Sequence, residues 1–271
     1  MKSEFNSVAW SKMVFEGSFA VELNGVVKKY GEVLAVDNVN LNVRKGEIFG
    51  LLGPNGSGKS TTMKMLLGLI QPESGSVRVL GIDVRKDPVA VKRQIGYAPE
   101  SSRLYEFLTG TEYLDFIGDI YNMKIDDKKT YISEYLKALE LEGREGDIIS
   151  SYSQGMKQKI TLISALMYRP RLLVLDEPLN GLDPRSARIV KDLLLNLKLQ
   201  GVTTLMSTHV LEIAQALCDR IGIMYKGKIL ALGSMDELRQ EARMPQSGLE
   251  DVFLKLTGTD DVRAVVEELL K

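Results

Sequence analysis

A short glycine-rich loop has the residue types and spacing best suited to chemistry. GPNGSGKS, residues 53–60, fits the pattern G-x-x-x-x-G-K-[ST] and lies between an apolar run and a helical pattern. Its glycines let successive backbone N–H groups point inward, and the following helix N-terminus adds positive potential. Lys59 would supply charge for the outer phosphates, and Ser60 a hydroxyl ligand for Mg²⁺. The predicted nucleotide contacts are Gly53, Pro54, Asn55, Gly56, Ser57, Gly58, Lys59, Ser60 and Thr61.

Two adjacent carboxylates end a second apolar segment, LLVLDEP, residues 172–178. Asp176 would leave the strand on the metal side, and Glu177 would be placed to accept a proton from an attacking water. The alternative is a strand that simply runs into an exposed acidic turn. A phosphate loop alone occurs in kinases, G proteins and ATPases and does not distinguish between them. The two acids are a second signal, and they predict a catalytic site with Glu177 as the general base.

The chain has one histidine, His209, which lies at the end of another apolar run in MSTHV, residues 206–210. On position alone, such a histidine is most often a satisfied core or surface residue. Only its place among the other motifs favours a catalytic role.

Composition and charge exclude several classes of function. The chain has 35 Lys and Arg against 36 Asp and Glu, so its formal net charge is −1 and no global field attracts nucleic acid or an anionic bilayer. Its single cysteine, Cys218, has no partner for an internal disulfide or a zinc site, which indicates a reducing compartment such as the cytosol. No segment approaches the roughly 20 apolar residues of a membrane span. A role in transport would therefore need a partner chain.

The elements that position these residues follow a recognisable order. Short apolar pieces within residues 19–52 and the segment VRVLG predict strands, and residues 101–168 change to the helical period of an inserted subdomain. Two further buried strands, RLLVLDEP and VTTLMSTH, flank a helix expected to be capped by Asp183 and to end at Gly201. Strand, helix and strand in succession predict a parallel sheet.

Both ends of the chain are predicted to lie outside this core. The first 19 residues are expected to form an irregular leader extension, because they lack the apolar core of a signal peptide. Residues 236–271 are expected to form a helical tail. Two capping boxes are predicted to mark the last helices, Ser234 with Glu237 and Ser247 with Glu250. One apolar face is predicted near the end, formed by Val262, Val265, Val266, Leu269 and Leu270.

Together these motifs resemble the nucleotide-binding subunit of an ABC transporter, with the family motifs in the expected order across residues 20–235. The resemblance implies an α/β fold: a P-loop NTPase core of ABC type, with an antiparallel β subdomain near the N-terminus and an inserted α-helical subdomain. It also implies ATP and Mg²⁺ as the bound cofactors.

The resemblance extends to residues that would contact the nucleotide. Tyr30 in KKYG is similar to the aromatic residue that stacks on adenine, although packing at a strand end is the alternative. YSQGMKQK, residues 152–159, is similar to the family signature LSGGQ, in which Ser153 and Gly155 would reach the γ-phosphate held by a partner subunit. The segment departs from the signature at three positions, Tyr152, Gln154 and Met156.

Three more residues receive roles from the resemblance. Glu100 in IGYAPE replaces the family's usual Gln and would ligate Mg²⁺, the alternative being an exposed acidic loop residue. Asp183 in NGLDP would align the catalytic groups of the partner subunit, besides capping its own helix. His209 matches the family's switch histidine, which lies within reach of the γ-phosphate, so the implied catalytic residues are Lys59, Glu177 and His209.

The implied function is ATP hydrolysis that drives a separate integral-membrane permease. Two copies of the chain, or one copy and a homologous subunit, would bind two ATP molecules head to tail at the inner face of the cell membrane. The motifs and the tail LEDVFLKLTG are similar to those of exporters of drugs, antibiotics, sodium or polysaccharides. The alternatives are a soluble ABC-type ATPase acting on DNA or ribosomes and a small-molecule P-loop kinase. The first is disfavoured because the chain has neither a long coiled coil nor a second core, and the kinase leaves the signature unexplained.

Overall fold

The computed structural model describes residues 17–101 and 103–258. Ten strands within these ranges form two sheets. Their bounds are β1 Phe19–Tyr30, β2 Val33–Arg44, β3 Ile48–Leu52, β4 Ser74–Val79, β5 Ile82–Asp83, β6 Ile95–Ala98, β7 Leu172–Asp176, β8 Thr203–Thr208, β9 Arg220–Tyr225 and β10 Lys228–Gly233.

The central sheet has six strands in the order β10-β9-β3-β8-β7-β6. The strands from β9 to β6 pair in parallel, and β10 is antiparallel to β9. Every residue of β3, β7 and β8 is buried, as expected for strands that are covered on both faces. The predicted parallel sheet is confirmed, and the carboxyl ends of β3, β7 and β8 meet at one edge.

The second sheet is antiparallel and has the order β2-β1-β4-β5. It lies near the N-terminus and confirms the expected β subdomain. The predicted leader extension falls almost entirely outside the described residues, and β1 already begins at Phe19. This sheet positions Tyr30, the last residue of β1, next to the phosphate loop.

Nine α-helices lie in the described ranges. Their bounds are α1 Lys59–Leu66, α2 Pro88–Lys92, α3 Gly110–Ile120, α4 Ile125–Ala138, α5 Gln154–Leu166, α6 Pro184–Leu199, α7 Leu211–Leu217, α8 Met235–Ala242 and α9 Leu249–Thr257. None of the helices so described is long and apolar enough to cross a lipid bilayer.

The helices α3, α4 and α5 form the layer that the sequence predicts as an inserted subdomain. The first of them begins at Gly110, where Thr109 and Glu112 form a capping box. Helix α5 packs against both α3 and α4 and also against β6, so it joins the helical layer to the central sheet. A motif at the start of α5 is therefore rigidly connected to the sheet edge.

Of the three predicted N-terminal helix caps, two are confirmed and one is wrong. Asp183 caps α6, and Ser234 forms the expected capping box with Glu237. The second box in the tail is not formed, because α9 begins at Leu249 with Gly248 at the N-cap position. Ser247 lies one residue too early, and its carbonyl accepts a hydrogen bond from Arg239. The apolar face predicted for residues 262–270 lies outside the described residues.

Candidate functional site

The phosphate loop connects β3 to α1 along the edge of the central sheet. Gly58 is the N-cap of α1 and has φ of 109°, a conformation that L side chains rarely adopt. A Cβ atom at Gly58 would lie 2.4 Å from the carbonyl oxygen of Ala35, and one at Gly53 would lie 2.1 Å from that of Met224. Only glycine fits at these two positions, so the sequence pattern has a steric cause.

Lys59 is buried and curls back over its own loop. Its Nζ donates to the carbonyl oxygen of Gly53 at 2.7 Å and to that of Pro54 at 3.2 Å. Burial lowers the pKa of Lys59, and the carboxylates of Glu177, Asp176 and Glu100 oppose this shift. The ammonium group is therefore fixed at the centre of the loop and faces acidic groups that belong to other elements.

A pocket of about 420 Å³ opens in front of the loop. It brings together most of the residues that the sequence predicts to bind nucleotide. Its lining consists of Tyr30, Val33, Ala35, Asn55, Gly56, Ser57, Gly58, Lys59, Ser60, Thr61, Glu100, Asp176 and Glu177. Tyr30 is about half exposed at the rim, and the ammonium of Lys28 lies 5.4 Å from its ring centroid.

The two acidic residues at the end of β7 share a partner on the neighbouring strand. Asp176 pairs in register with Ser207 of β8, and the Ser207 hydroxyl donates to the Asp176 carboxylate. The same Ser207 oxygen accepts the backbone N–H of Glu177 at 3.1 Å. Sequence reasoning missed Ser207. The sequence signal that could have indicated it is a serine in the next predicted strand, two positions before the histidine.

His209 lies beside Glu177 and not in the core. Its Nδ1 is 2.8 Å from Oε1 of Glu177, and its side chain is 58% exposed whereas that of Glu177 is 7% exposed. Of the alternative interpretation, a satisfied core or surface histidine, the core position is wrong. Glu177 has φ of 49°, an uncommon left-handed conformation for a residue with a side chain, as occurs at functional sites.

A second pocket, of about 160 Å³, lies on the other side of Glu177. His209 lines this pocket, and Glu177 borders both cavities. The general-base candidate thus separates the space in front of the phosphate loop from the space next to the histidine.

The signature residues and Asp183 are not part of the first pocket. Ser153 is exposed and caps α5, with its Oγ accepting the N–H of Met156 at 3.3 Å. Asp183 accepts hydrogen bonds from the hydroxyl and the N–H of Ser186, which lower its pKa to about 2. Neither Ser153, Gly155 nor Asp183 lines the space in front of the phosphate loop of its own chain.

The residues fit a Mg²⁺ ion by the chemistry of their donor atoms. The Ser60 hydroxyl and the carboxylates of Asp176 and Glu100 line one pocket, and all three are the hard oxygen donors that Mg²⁺ prefers.

Comparison with known families and proteins agrees with this arrangement. A family profile described as ABC transporter matches residues 36–180. The probable multidrug ABC transporter ATP-binding protein YbhF of Escherichia coli is 36% identical over 243 residues, which cover 89% of this chain and 42% of YbhF. The linearmycin resistance ATP-binding protein LnrL of Bacillus subtilis is 36% identical over 240 residues, 86% of this chain and 77% of LnrL. This chain thus spans less than half the length of one relative and most of the other.

Solved structures show the same fold. The structure of an ATP-binding subunit of an ABC transporter matches with a TM-score of 0.84 and 31% identity, covering 88% of this chain and 99% of that one. A dimeric ATP-binding cassette in a post-hydrolysis state, bound to ADP and Pi, matches with a TM-score of 0.73 and 28% identity, covering 79% of this chain and 98% of that one.

Proposed function

Because this chain belongs to the ABC transporter family, we propose that it is the ATP-binding and ATP-hydrolysing subunit of a transporter. The observation that carries the proposal is the shared pocket, in which the phosphate loop faces Asp176 and Glu177 while Glu177 contacts His209. A loop that only bound phosphate would not need a buried carboxylate with a histidine partner at the same edge. These groups together are suited to hydrolysis.

Each part of the nucleotide has a counterpart in the pocket. Tyr30 at the rim would stack on adenine, and the loop N–H groups with Lys59 would hold the phosphates. Ser60, Asp176 and Glu100 would hold Mg²⁺, which supplies charge neutralisation for the phosphate oxygens. Glu100 would keep this role in place of the family's usual Gln.

Hydrolysis follows from the position of Glu177. The oxygen of a water molecule attacks the γ-phosphorus, the bond to the bridging β–γ oxygen breaks, and ADP leaves with phosphate as the second product. Glu177 accepts the proton of that water, and His209 orients the carboxylate and the γ-phosphate. Glu177 has a left-handed backbone conformation and lines both pockets.

A second subunit would complete the site. Ser153 and Gly155 lie at the N-terminus of α5, away from the phosphate loop of their own chain, and Asp183 begins α6. In a head-to-tail pair, these residues of one copy would contact the nucleotide held by the other. Closure around two ATP molecules and reopening after hydrolysis would then drive a separate permease.

The permease partner places the chain at the inner face of the cell membrane as a peripheral subunit. The named activity of LnrL, resistance to linearmycin, supports an exporter of a drug or antibiotic as the transport class. No nucleic acid is expected as a partner, because the formal net charge is −1.

The test is to purify the full chain with the membrane proteins that bind it. We expect a polytopic membrane protein to co-purify, and ATPase activity that requires Mg²⁺ and stops on chelation. A purified chain that binds no membrane protein and transfers phosphate from ATP to a small molecule would contradict the proposal.

A further inference from the structure

Helix α5 contacts the segment that follows Glu177, and these contacts have no role in the site described so far. This segment, residues 177–183, joins β7 to α6 and is called the linker segment below. One of its ends carries the general-base candidate Glu177, and the other carries the N-cap residue Asp183. Helix α5 carries Ser153 and Gly155 at its start.

The tightest polar contact is made by Gln158. Its Nε2 donates to the carbonyl oxygen of Pro178 at 3.1 Å, and both atoms are buried. Gln158 is 2% exposed. A buried carbonyl that loses its donor is costly, so this bond fixes the backbone one residue after Glu177.

Two further contacts lie on the same side of α5. A Cβ atom at Gly155 would be 2.9 Å from the carbonyl oxygen of Gly181, so the helix and the linker segment touch through their backbones. The ammonium of Lys159 lies 3.7 Å from the Asp183 carboxylate. The helix positions 155, 158 and 159 have i, i+3 and i+4 spacing and thus share one face.

The hydrogen bond from Gln158 complements the bond on the other side of Glu177. The Glu177 N–H donates to Ser207, and the next carbonyl, that of Pro178, accepts from Gln158. The two bonds flank Glu177, whose left-handed backbone conformation is uncommon for a residue with a side chain and needs such support.

We propose that Gln158 is a positioning residue that connects the start of α5 to the Glu177 carboxylate. When Ser153 and Gly155 engage the nucleotide of a second subunit, the linker segment moves with α5, so closure of one site sets the general base of the other. This inference rests on the proposed function, because it needs two subunits that hydrolyse ATP.

The test replaces Gln158 by Met, which keeps the length of the side chain and removes its donor. The matched control is Thr161→Val. Thr161 is also buried in α5, and its hydroxyl donates to the Lys157 carbonyl at 2.8 Å without reaching the linker segment. We expect Gln158→Met to lower kcat about tenfold or more, with little change in KM for ATP, whereas Thr161→Val stays near the original kcat.

A second measurement does not depend on turnover. The imidazole resonances of the chain belong to His209 alone, and His209 contacts Glu177. Gln158→Met should shift these resonances in the nucleotide-free protein, and Thr161→Val should leave them in place. Should Gln158→Met fail to fold, Gln158→Leu removes the same donor without burying a charge and should give the same kcat loss.

The inference is overturned if Gln158 variants match Thr161→Val in kcat and leave the His209 resonances unmoved. That outcome leaves the proposed function intact. Failure of the proposed function looks different, because the unaltered chain would then hydrolyse no ATP and form no ATP-dependent dimer.

Discussion

At the scale of single residues, the decisive feature is the Glu177 carboxylate between two pockets. It faces the phosphate loop on one side and contacts Nδ1 of His209 on the other. A neutral imidazole that donates from Nδ1 leaves Nε2 as an acceptor, whereas a doubly protonated ring presents a donor there. The exposed ring is thus suited to contact a group that enters the second pocket.

His209→Ala should lower the rate of ATP hydrolysis by about ten to a thousandfold, the range spanned by lost positioning and electrostatic contributions. The affinity for ATP should change much less, because Lys59 and the N–H groups of the loop, which make most of the proposed phosphate contacts, stay in place. Steady-state ATPase assays with nucleotide titrations would measure both quantities. In NMR spectra of the original protein, the resonances of the single imidazole should shift more with ATP than with ADP. If these resonances do not move and the variant hydrolyses ATP at the normal rate, His209 has only a structural role.

Lys59→Ala should weaken binding of ATP more than binding of adenosine. The ammonium lies inside the loop that faces the outer phosphates, and a hydrogen bond to a charged group contributes about 1.5–3 kcal/mol. Calorimetry with both ligands would measure the difference. Equal weakening of the two would instead indicate a folding defect, since adenosine carries no phosphate.

The Ser207 bridge is the part of the site that sequence reasoning did not predict. Ser207 lies in a fully buried strand, and serine there reads as a small core residue. Its role depends on the register of β7 against β8, which pairs it with Asp176. Strand register of this kind follows from three-dimensional packing and leaves no local mark in the sequence.

At the scale of elements, local signals predicted the side-chain caps of α6 and α8 but not those of α2 and α3. Asp183 and Ser234 both lie at N-cap positions, because their oxygens satisfy free backbone N–H groups. The capping box predicted for Ser247 does not form, because Gly248 occupies the N-cap position of α9. The pattern S-x-x-E alone does not determine which residue is the N-cap. β6 was not predicted: the first four residues of IGYAPE, Ile95–Ala98, form a short strand beside β7.

The cap of α6 gives a pH-dependent prediction. The folded pKa of Asp183 is about 2, below the ordinary value of about 3.9 for an unfolded Asp. A depressed carboxylate stabilises the fold above the unfolded pKa, and that stabilisation disappears as pH falls through the folded value. Asp183→Ala should therefore lower the thermal midpoint at pH 7, and its difference from the original protein should shrink between about pH 4 and pH 2.

Thermal unfolding followed by circular dichroism over this pH series would provide the measurement. Asp183→Asn is the matched control, since Asn caps helices as well as Asp and has no charge to titrate. A difference between Asp183→Ala and the original protein that stays constant down to pH 2 would contradict the depressed pKa.

At the scale of the whole molecule, the topology explains why distant motifs form one pocket. The phosphate loop, the acids and the histidine follow β3, β7 and β8, which are adjacent and parallel, so their carboxyl ends coincide. The order of motifs in the sequence was sufficient to predict this pocket. It could not predict the contacts of α5 with the linker segment, because Gln158 and Pro178 meet only after the helical layer packs on the sheet.

One chain carries both the residues of the phosphate pocket and the residues proposed to contact the nucleotide of a partner, but it does not bring the two sets together. Ser153, Gly155 and Asp183 lie outside the pocket that holds Lys59 and Glu177. This separation is what a head-to-tail pair would require, since each copy would supply the missing half to the other.

The most direct measurement uses Glu177→Gln, which removes the proposed general base and keeps the shape of the side chain. Its ATPase rate and its sedimentation with ATP and Mg²⁺ should be recorded on the same samples, with the original protein beside it. We expect almost no turnover, preserved ATP binding and a stable ATP-dependent dimer that ADP does not produce. Hydrolysis at the original rate would show that Glu177 has no role in the mechanism. A variant that hydrolyses no ATP but stays monomeric with ATP bound would contradict the site formed by two subunits.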